Sequence, residues 1–323
     1  MNVAKKIFTK LNGLHYPQDY LCFAAETFDG PLRTYLVQDG EIKKDITSLH
    51  AFVGYCPVLF ALPAFTEINE SEFIEVAFCP DDLDAGEKWT QKKSAAFLSL
   101  KRIKRQQTGE GEIFYYEGVA GKHHFTSTFQ QVVGQLYNRL YNNKAGNVFL
   151  KGNLHKQVQI AYCVPRKICL VTVGMNYAYN LFPTDLHGQV GESHYVVSLR
   201  HEGKACKQVL AAQNIVLSDV QASSFRTTYG LGKNHMQPLK DLSAFAFSKK
   251  LSALLHLPLP NGAVKYKELS LEDSLDAGIH KLLLFKITNT QRVTNEPETL
   301  VHVHNVYATW RRKKGLPGNY LLR

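Results

Sequence analysis

The stretch VPRKICLVTVGMNYAYNLFPTDLHGQVGESHYVVSLRHEGKACKQVLAAQN, Val164 to Asn214, decides how the chain is read. Ile168 to Val173 and His194 to Leu199 are β-branched apolar runs, so they predict two strands around a loop of short polar side chains. The loop is where a ligand is expected. After the second run come Arg200, Gly203 and Lys204, and then a helical pattern from Ala205 to Ala212. Ser198 and Arg200 leave the strand, Gly203 permits a tight turn, and Lys204 opens the helix beside its free N–H groups. A cation next to a helix N-terminus is unfavourable until an anion sits between them, and then both attract it. The residue types point to an anion seat, and a solvated strand-to-helix turn is their alternative.

The same positions resemble the flavin reductase-like family, whose FMN-binding split barrel opens on a hydrophobic V-T-x-G-type strand. Here that strand is Val171, Thr172, Val173 and Gly174. The family's N-x-x-P-[ST]-type loop is matched by Asn180, Pro183 and Thr184, and its S-x-R-x-x-x-K segment by Ser198, Arg200 and Lys204. Gly278, Ile279 and His280 match a later G-x-H element before the apolar run Leu282 to Ile287. The resemblance covers roughly residues 155–323, and it lies in the order and spacing of short, degenerate pieces. It implies an FMN-binding split β-barrel with short helices for that part; the many short strands make the whole mainly β, and the chain's length adds an α+β or barrel-like domain before it. The resemblance also implies FMN as cofactor, NADH or NADPH as electron donor, a small-molecule electron acceptor, and a homodimer whose flavin pocket lies at the subunit interface. Asn180, Pro183, Thr184, Ser198, Arg200 and Lys204 are then the cofactor-binding candidates. His280 is a contact for flavin or nicotinamide, or a structural hydrogen-bonding residue at a strand entrance. Phe182, Asp185, Leu186 and His187 depart from the small residues usual in that loop, and Asp185 must point away from a phosphate to be tolerated.

With 323 residues, 45% hydrophobic and 20% charged, the chain predicts globular domains rather than disorder, and two domains are the size prior. The expected division is 1–150, with no role assigned and a diverged barrel as one reading of it, and 151–323, the split barrel, with the boundary around Gly146 to His155. The formal charge of +10 is uneven: residues 1–150 hold 16 Lys/Arg against 17 Asp/Glu, and residues 151–323 hold 22 against 11. A positive field on the half with the anion seat suits a phosphorylated cofactor, and equally a nucleic acid or an acidic surface. Six cysteines without a C-x-x-C pair, and no recognisable signal or spanning run, predict a cytoplasmic protein away from membranes.

Elsewhere, Arg33 to Val37, Asp39-Gly40 and Asn69 to Cys79 read as strands and turns, and Val53 to Leu62 as an apolar cluster fit for the core. Glu87 to Ile103 reads as helix, with Phe97 to Leu100 alternatively a strand. Thr126 to Tyr141 has a helical period carried by Phe129, Val132, Val133, Leu136, Leu140 and Tyr141, and residues 142–147 stop it. Gln157 to Tyr162, Gln213 to Val220 and Thr299 to Tyr307 read as strands. Leu239 to Leu254 holds possible helix, and Ser223 to Lys233 suits a cover over a ligand. There is neither a dinucleotide G-x-G-x-x-G nor a phosphate-loop motif. His302-x-His304 puts two rings on one strand face but names no third ligand, so no metal is expected. Cys206 near Lys204 and a helix start is a candidate for a lowered pKa. Arg311 to Lys314 is a solvated turn or a phosphate-contacting run. The function expected is an FMN-binding oxidoreductase. A flavin-lost or noncatalytic scaffold and a basic nucleic-acid-binding protein are its alternatives.

Overall fold

The computed structural model describes residues 7, 9–68, 70–141, 148–295, 299–316 and 318–321. Its N-terminal strands are β1 (Tyr20–Ala24), β2 (Arg33–Gln38), β3 (Glu41–Asp45), β4 (Ala51–Tyr55), β5 (Val58–Pro63), β6 (Phe73–Cys79), β7 (Ala96–Thr108) and β8 (Gly111–His123). Then follow β9 (Arg166–Lys167), β10 (Cys169–Met175), β11 (Ala178–Thr184), β12 (His187–Val190), β13 (His194–Arg200) and β14 (Asn214–Val220). The last are β15 (Phe247–Leu251), β16 (Pro258–Pro260), β17 (Ala263–Ala277), β18 (His280–Arg292) and β19 (Leu300–His304). The fold is mainly β, with large antiparallel sheets and short helices.

Two seven-stranded sheets dominate, ordered β3-β2-β6-β7-β8-β5-β4 and β11-β10-β14-β17-β18-β13-β12. Counted from the first strand of each, the two orders are the same. Their opening hairpins also turn alike, with positive φ at Asp39 and Gly40 in one and at Asn176 and Tyr177 in the other. A third sheet, β1-β19-β9, ties the start of the chain to its end. One core lies between the large sheets: Ala51, Val53, Leu59 and Ala61 meet Val190, Val196, Leu282 and Leu284, all buried. The apolar face that each strand presents there is what sheet-on-sheet packing requires.

Several elements differ from the sequence expectation. The polar segment after Gly174 is a pair of strands, β11 and β12, because its polar side chains find buried partners. Asn180 bonds Gln208, and His187 bonds Tyr195. Gln157 to Tyr162 lies mostly in a helix, Leu154–Ala161, which packs on β8 where Gly118 and Gly121 leave room; a Cβ on Gly121 would stand 2.9 Å from Ile160 Cδ1. Glu87 to Ile103 forms no α-helix: it holds a 3-10 turn, Gln91–Lys93, and from Ala96 it belongs to β7, which is the strand alternative for Phe97 to Leu100. The end of Thr299 to Tyr307 starts the helix Asn305–Lys313, and Leu239 to Leu254 holds only a short 3-10 turn before β15. The helix Thr128–Tyr141 forms, but Phe129, Val132, Leu136 and Leu140 on its apolar face are exposed. Residues 142–147, read as its stop and as part of the boundary, and Asn69, read as a strand start, lie outside the described residues. No described helix is long and apolar enough to cross a membrane.

Candidate functional site

β13 and β18 build the centre. Their register sets Arg200 directly across from His280, and Ser198, two residues earlier, lies on the same strand face as Arg200. Beyond Arg200 the chain turns: Gly203 N donates to the Arg200 carbonyl at 3.0 Å, and a Cβ on Gly203 would meet that oxygen at 3.2 Å. The helix Lys204–Ala212 starts there, with Gly203 at its N-cap, no side-chain cap and no acidic residue in its first turn. Its first N–H groups therefore have no side-chain acceptor, which is the arrangement that favours an anion.

A cavity of about 520 Å³ opens at this point, within the usual range for small-molecule sites. Pro183, Thr184, Ser198, Arg200 and His280 all line it, together with Gly203, Ala205 and Cys206 from the turn and helix. Glu202 also lines it, the one exposed acid there. The structure does not bring in the other two candidates. Asn180 is fully buried beneath the site, where its amide donates to Gln208 Oε1 at 2.7 Å and the Asn234 carbonyl at 3.0 Å. Lys204 is exposed and its side chain is not part of the lining.

Three buried polar atoms on the lining have no hydrogen-bond partner: Ser198 Oγ and both ring nitrogens of His280. Burial, with the Arg200 charge adding to it, lowers the His280 pKa to about 4. At neutral pH the ring is uncharged, so it offers one donor and one acceptor. Cys206, a candidate for a lowered pKa, is instead raised by burial. Asp185 also borders the cavity, but its carboxylate is engaged behind it. Tyr162 Oη donates to Asp185 Oδ2 at 2.8 Å and His302 Nε2 lies 2.9 Å from the same oxygen. Burial alone would raise this acid, yet those two partners hold it at about 2.

The 3-10 segment Leu231–Met236 borders one side; of the stretch Ser223 to Lys233 expected to cover a ligand, Gly232 alone is in the lining. It is latched to β11 by Asn234, which donates to the Leu181 carbonyl at 2.8 Å, and by His235 Nε2, 2.7 Å from the Pro183 carbonyl. Gly232, His235 and Met236 reach the lining from it. Tyr55, from the other large sheet, is the lining residue the sequence did not announce. Its hydroxyl accepts a hydrogen bond from Arg200 Nη2, and its ring meets the His280 ring edge-on, centroids 5.0 Å apart. These partners stand 145 positions apart, and only the packing of the two sheets joins them.

The histidine pair and the basic run are elsewhere. His302 stacks on Tyr20, and His304 caps the helix Asn305–Lys313 by accepting from Val306 N. No group of three or more metal-ligating residues occurs among the described residues. Arg311 is fully buried, whereas Lys313 and Lys314 border an open groove with Lys122, Lys156 and Trp310.

In fold the chain is similar to the FMN-binding protein of Thermus thermophilus with bound p-hydroxybenzaldehyde, at 17% identity, over 43% of this chain and 86% of that one, TM-score 0.39. It is similar also to the flavin reductase component of a bacterial two-component tryptophan halogenase, at 17% identity, over 47% and 94%, TM-score 0.40. A third similar structure is the Pseudomonas fluorescens 2-nitrobenzoate 2-nitroreductase, at 20% identity, over 44% and 73%, TM-score 0.38. Identities and TM-scores this low do not bear on what the chain binds. No protein-family model and no curated protein matches it.

Proposed function

We propose that the chain binds FMN in the cavity between β13, β18 and the helix Lys204–Ala212, and acts as an NAD(P)H-dependent oxidoreductase on flavin or a small electron acceptor. The observation that carries this reading is the meeting, on one cavity, of Arg200, an uncapped helix start and unpartnered buried polar atoms on Ser198 and His280. Such atoms are costly to bury unless something pairs with them. A phosphomonoester satisfies the Arg200 fork, the Ser198 hydroxyl and the first-turn N–H groups together. His280, neutral, and Thr184 supply hydrogen bonds to the polar edge of a flavin ring. When bound, FMN supplies the two-electron redox chemistry. The protein's part is to bind, orient and shield, with the segment Leu231–Met236 limiting water at one side. Asp185, the acid of the β11–β12 connection, stays with Tyr162 and His302 and so does not compete with a phosphate for the Arg200 fork, while Glu202, exposed on the lining, must turn toward solvent.

The test is titration of the purified protein with FMN and with riboflavin, which lacks the phosphate, followed by NADH and NADPH oxidation in the same sample. Tighter binding of FMN than riboflavin, with the difference abolished in Arg200→Ala, supports the reading. Protein that takes up neither compound overturns it. FMN bound without oxidation of either nicotinamide leaves the noncatalytic scaffold in its place. A polyanion reading keeps one observation, the groove of Lys122, Lys156, Lys313 and Lys314 with Trp310. Oligonucleotide binding that weakens steeply with salt would support it.

A further inference from the structure

The N-terminal half repeats the C-terminal sheet in more than strand order. The long hairpins β7–β8 and β17–β18 each carry two register shifts, at Ser99/Leu100 and Arg102/Lys104 in one and at Glu268/Leu269 and Leu271/Asp273 in the other. Each pair of irregularities is separated by the same number of residues. Bulges are specific local features, so two at matched spacing mark the halves as two copies of one architecture. The copies meet face to face through the core of Ala51, Val53, Leu59 and Ala61 against Val190, Val196, Leu282 and Leu284.

Among the described residues, one copy has the site and the other lacks its parts. His280 opens β18, whereas the residue that opens β8 is Gly111. β13 runs on to Arg200, paired with His280, but the last pair of β5 is Pro63 with Ile113, two residues short of Gly111. After β13 comes the nine-residue helix Lys204–Ala212; after β5 comes the three-residue 3-10 turn Thr66–Ile68. The reciprocal contribution is also one-sided. β4 ends in Tyr55, which reaches Arg200 and His280, while β12 ends in Val190, buried in the core between the halves.

We infer that a single chain forms one complete FMN site between its own two halves. In this arrangement the N-terminal half fills the place of a second barrel, and Tyr55 is the positioning residue that holds the Arg200 fork for the phosphate. This rests on the FMN reading proposed above and deepens it. It places inside one chain the pairing of barrels that the family resemblance implies between two. The Gly278 turn supports the fit: its N–H neighbour Ile279 donates to the Cys56 carbonyl at 3.1 Å, and a Cβ on Gly278 would stand 2.3 Å from that oxygen. The β17–β18 turn is thus seated on the end of β4, beside Tyr55.

The experiment titrates FMN and riboflavin into the full chain over a range of protein concentrations, with light scattering on the same samples, for wild type and Tyr55→Phe. Expected are one FMN per chain, the mass of one chain with FMN bound, and an affinity independent of protein concentration. Tyr55→Phe keeps the ring and loses the hydroxyl, so FMN should bind roughly 5- to 10-fold more weakly, as loss of one solvent-exposed hydrogen bond predicts, with riboflavin affinity unchanged. A purely structural Tyr55 would weaken both ligands alike. Two FMN per chain, one per two chains, an affinity that rises with protein concentration, or an unchanged FMN-to-riboflavin ratio in Tyr55→Phe would each overturn the inference. Protein that binds no FMN in any sample overturns the parent reading instead, whatever its mass.

Discussion

Gly188 of β12 packs against Ala51 of β4 so closely that a Cβ added to the glycine would lie 2.6 Å from the Ala51 Cβ. That approach brings the two large sheets together at their β4 and β12 edges, and no side chain can be inserted without moving backbone, since Ala51 Cα is only 3.2 Å from the same point. Gly188→Val is therefore expected to cost about 1–3 kcal/mol, the usual range for overpacking. Gly232→Val, where a Cβ would meet nothing within 4 Å, is the comparison. Urea midpoints measure both, and equal shifts would mean the halves are not locked at Gly188.

Acid should weaken the fold before it reaches the carboxylate range. His123, His187 and His280 are buried, and burial lowers each from 6.5 to about 4. Between those values the unfolded chain takes up protons that the folded chain refuses. Stability is then fully present above the unfolded value and declines as pH falls toward 4, by about 1.4 kcal/mol per pH unit for each such histidine at most. Denaturant unfolding at pH 7.5, 6 and 5 reads the slope. A flat profile across that interval would contradict the neutral buried state of these rings.

The sequence made the local periods of the site legible and left its partners hidden. Ile168 to Val173, His194 to Leu199 and the helix after Gly203 follow from side-chain type because burial on one face leaves a period. Ser198 and Arg200 stood together as a strand-to-helix junction, His280 joined them only through the family resemblance, and the register of β13 and β18 then sets Arg200 across from His280. The loop reading of β11 failed because Asn180 and His187 look solvated until Gln208, Asn234 and Tyr195 supply their hydrogen bonds. Gln157 to Tyr162 alternates polar and apolar residues over too short a length to distinguish strand from helix, and Gly118 and Gly121 on another element leave room for the helix. Tyr55 carries no local signal at all. The repetition of the two sheets was hidden too, since strand order and bulge spacing persist where residue identity does not.

Asp185 ties the floor of the cavity to the third sheet. Its Oδ2 receives the Tyr162 hydroxyl at 2.8 Å and faces His302 Nε2 at 2.9 Å. Held at about 2 against an ordinary 3.8, this acid adds stability that is present above the ordinary value and lost as pH falls through the folded one. Asp185→Asn should lower stability by about 1.5–3 kcal/mol at neutral pH, the range for a hydrogen bond to a charged group. At pH 2 the mutant and wild type should converge. Calorimetry at the two pH values checks this; a deficit that persists unchanged in acid would assign the loss to packing rather than charge.

The basic run near the C-terminus divides into one structural cation and its solvated neighbours. Arg311 is fully buried, donates to the carbonyls of Gly30, at 2.7 Å, and Asp29, and its guanidinium lies 3.9 Å over the Phe28 ring. A planar fork serves two adjacent carbonyls and an aromatic face in a way that an ammonium does not. Arg311→Lys is therefore expected to cost about 1.5–3 kcal/mol despite the kept charge, whereas Arg312→Ala, exposed on the same helix, should stay within about 0.5 kcal/mol. Thermal melts separate the two. If Arg311→Lys melts with the wild type, the guanidinium fork adds nothing that an ammonium does not, and the helix Asn305–Lys313 is anchored by its other buried residues, Asn305 to Thr309.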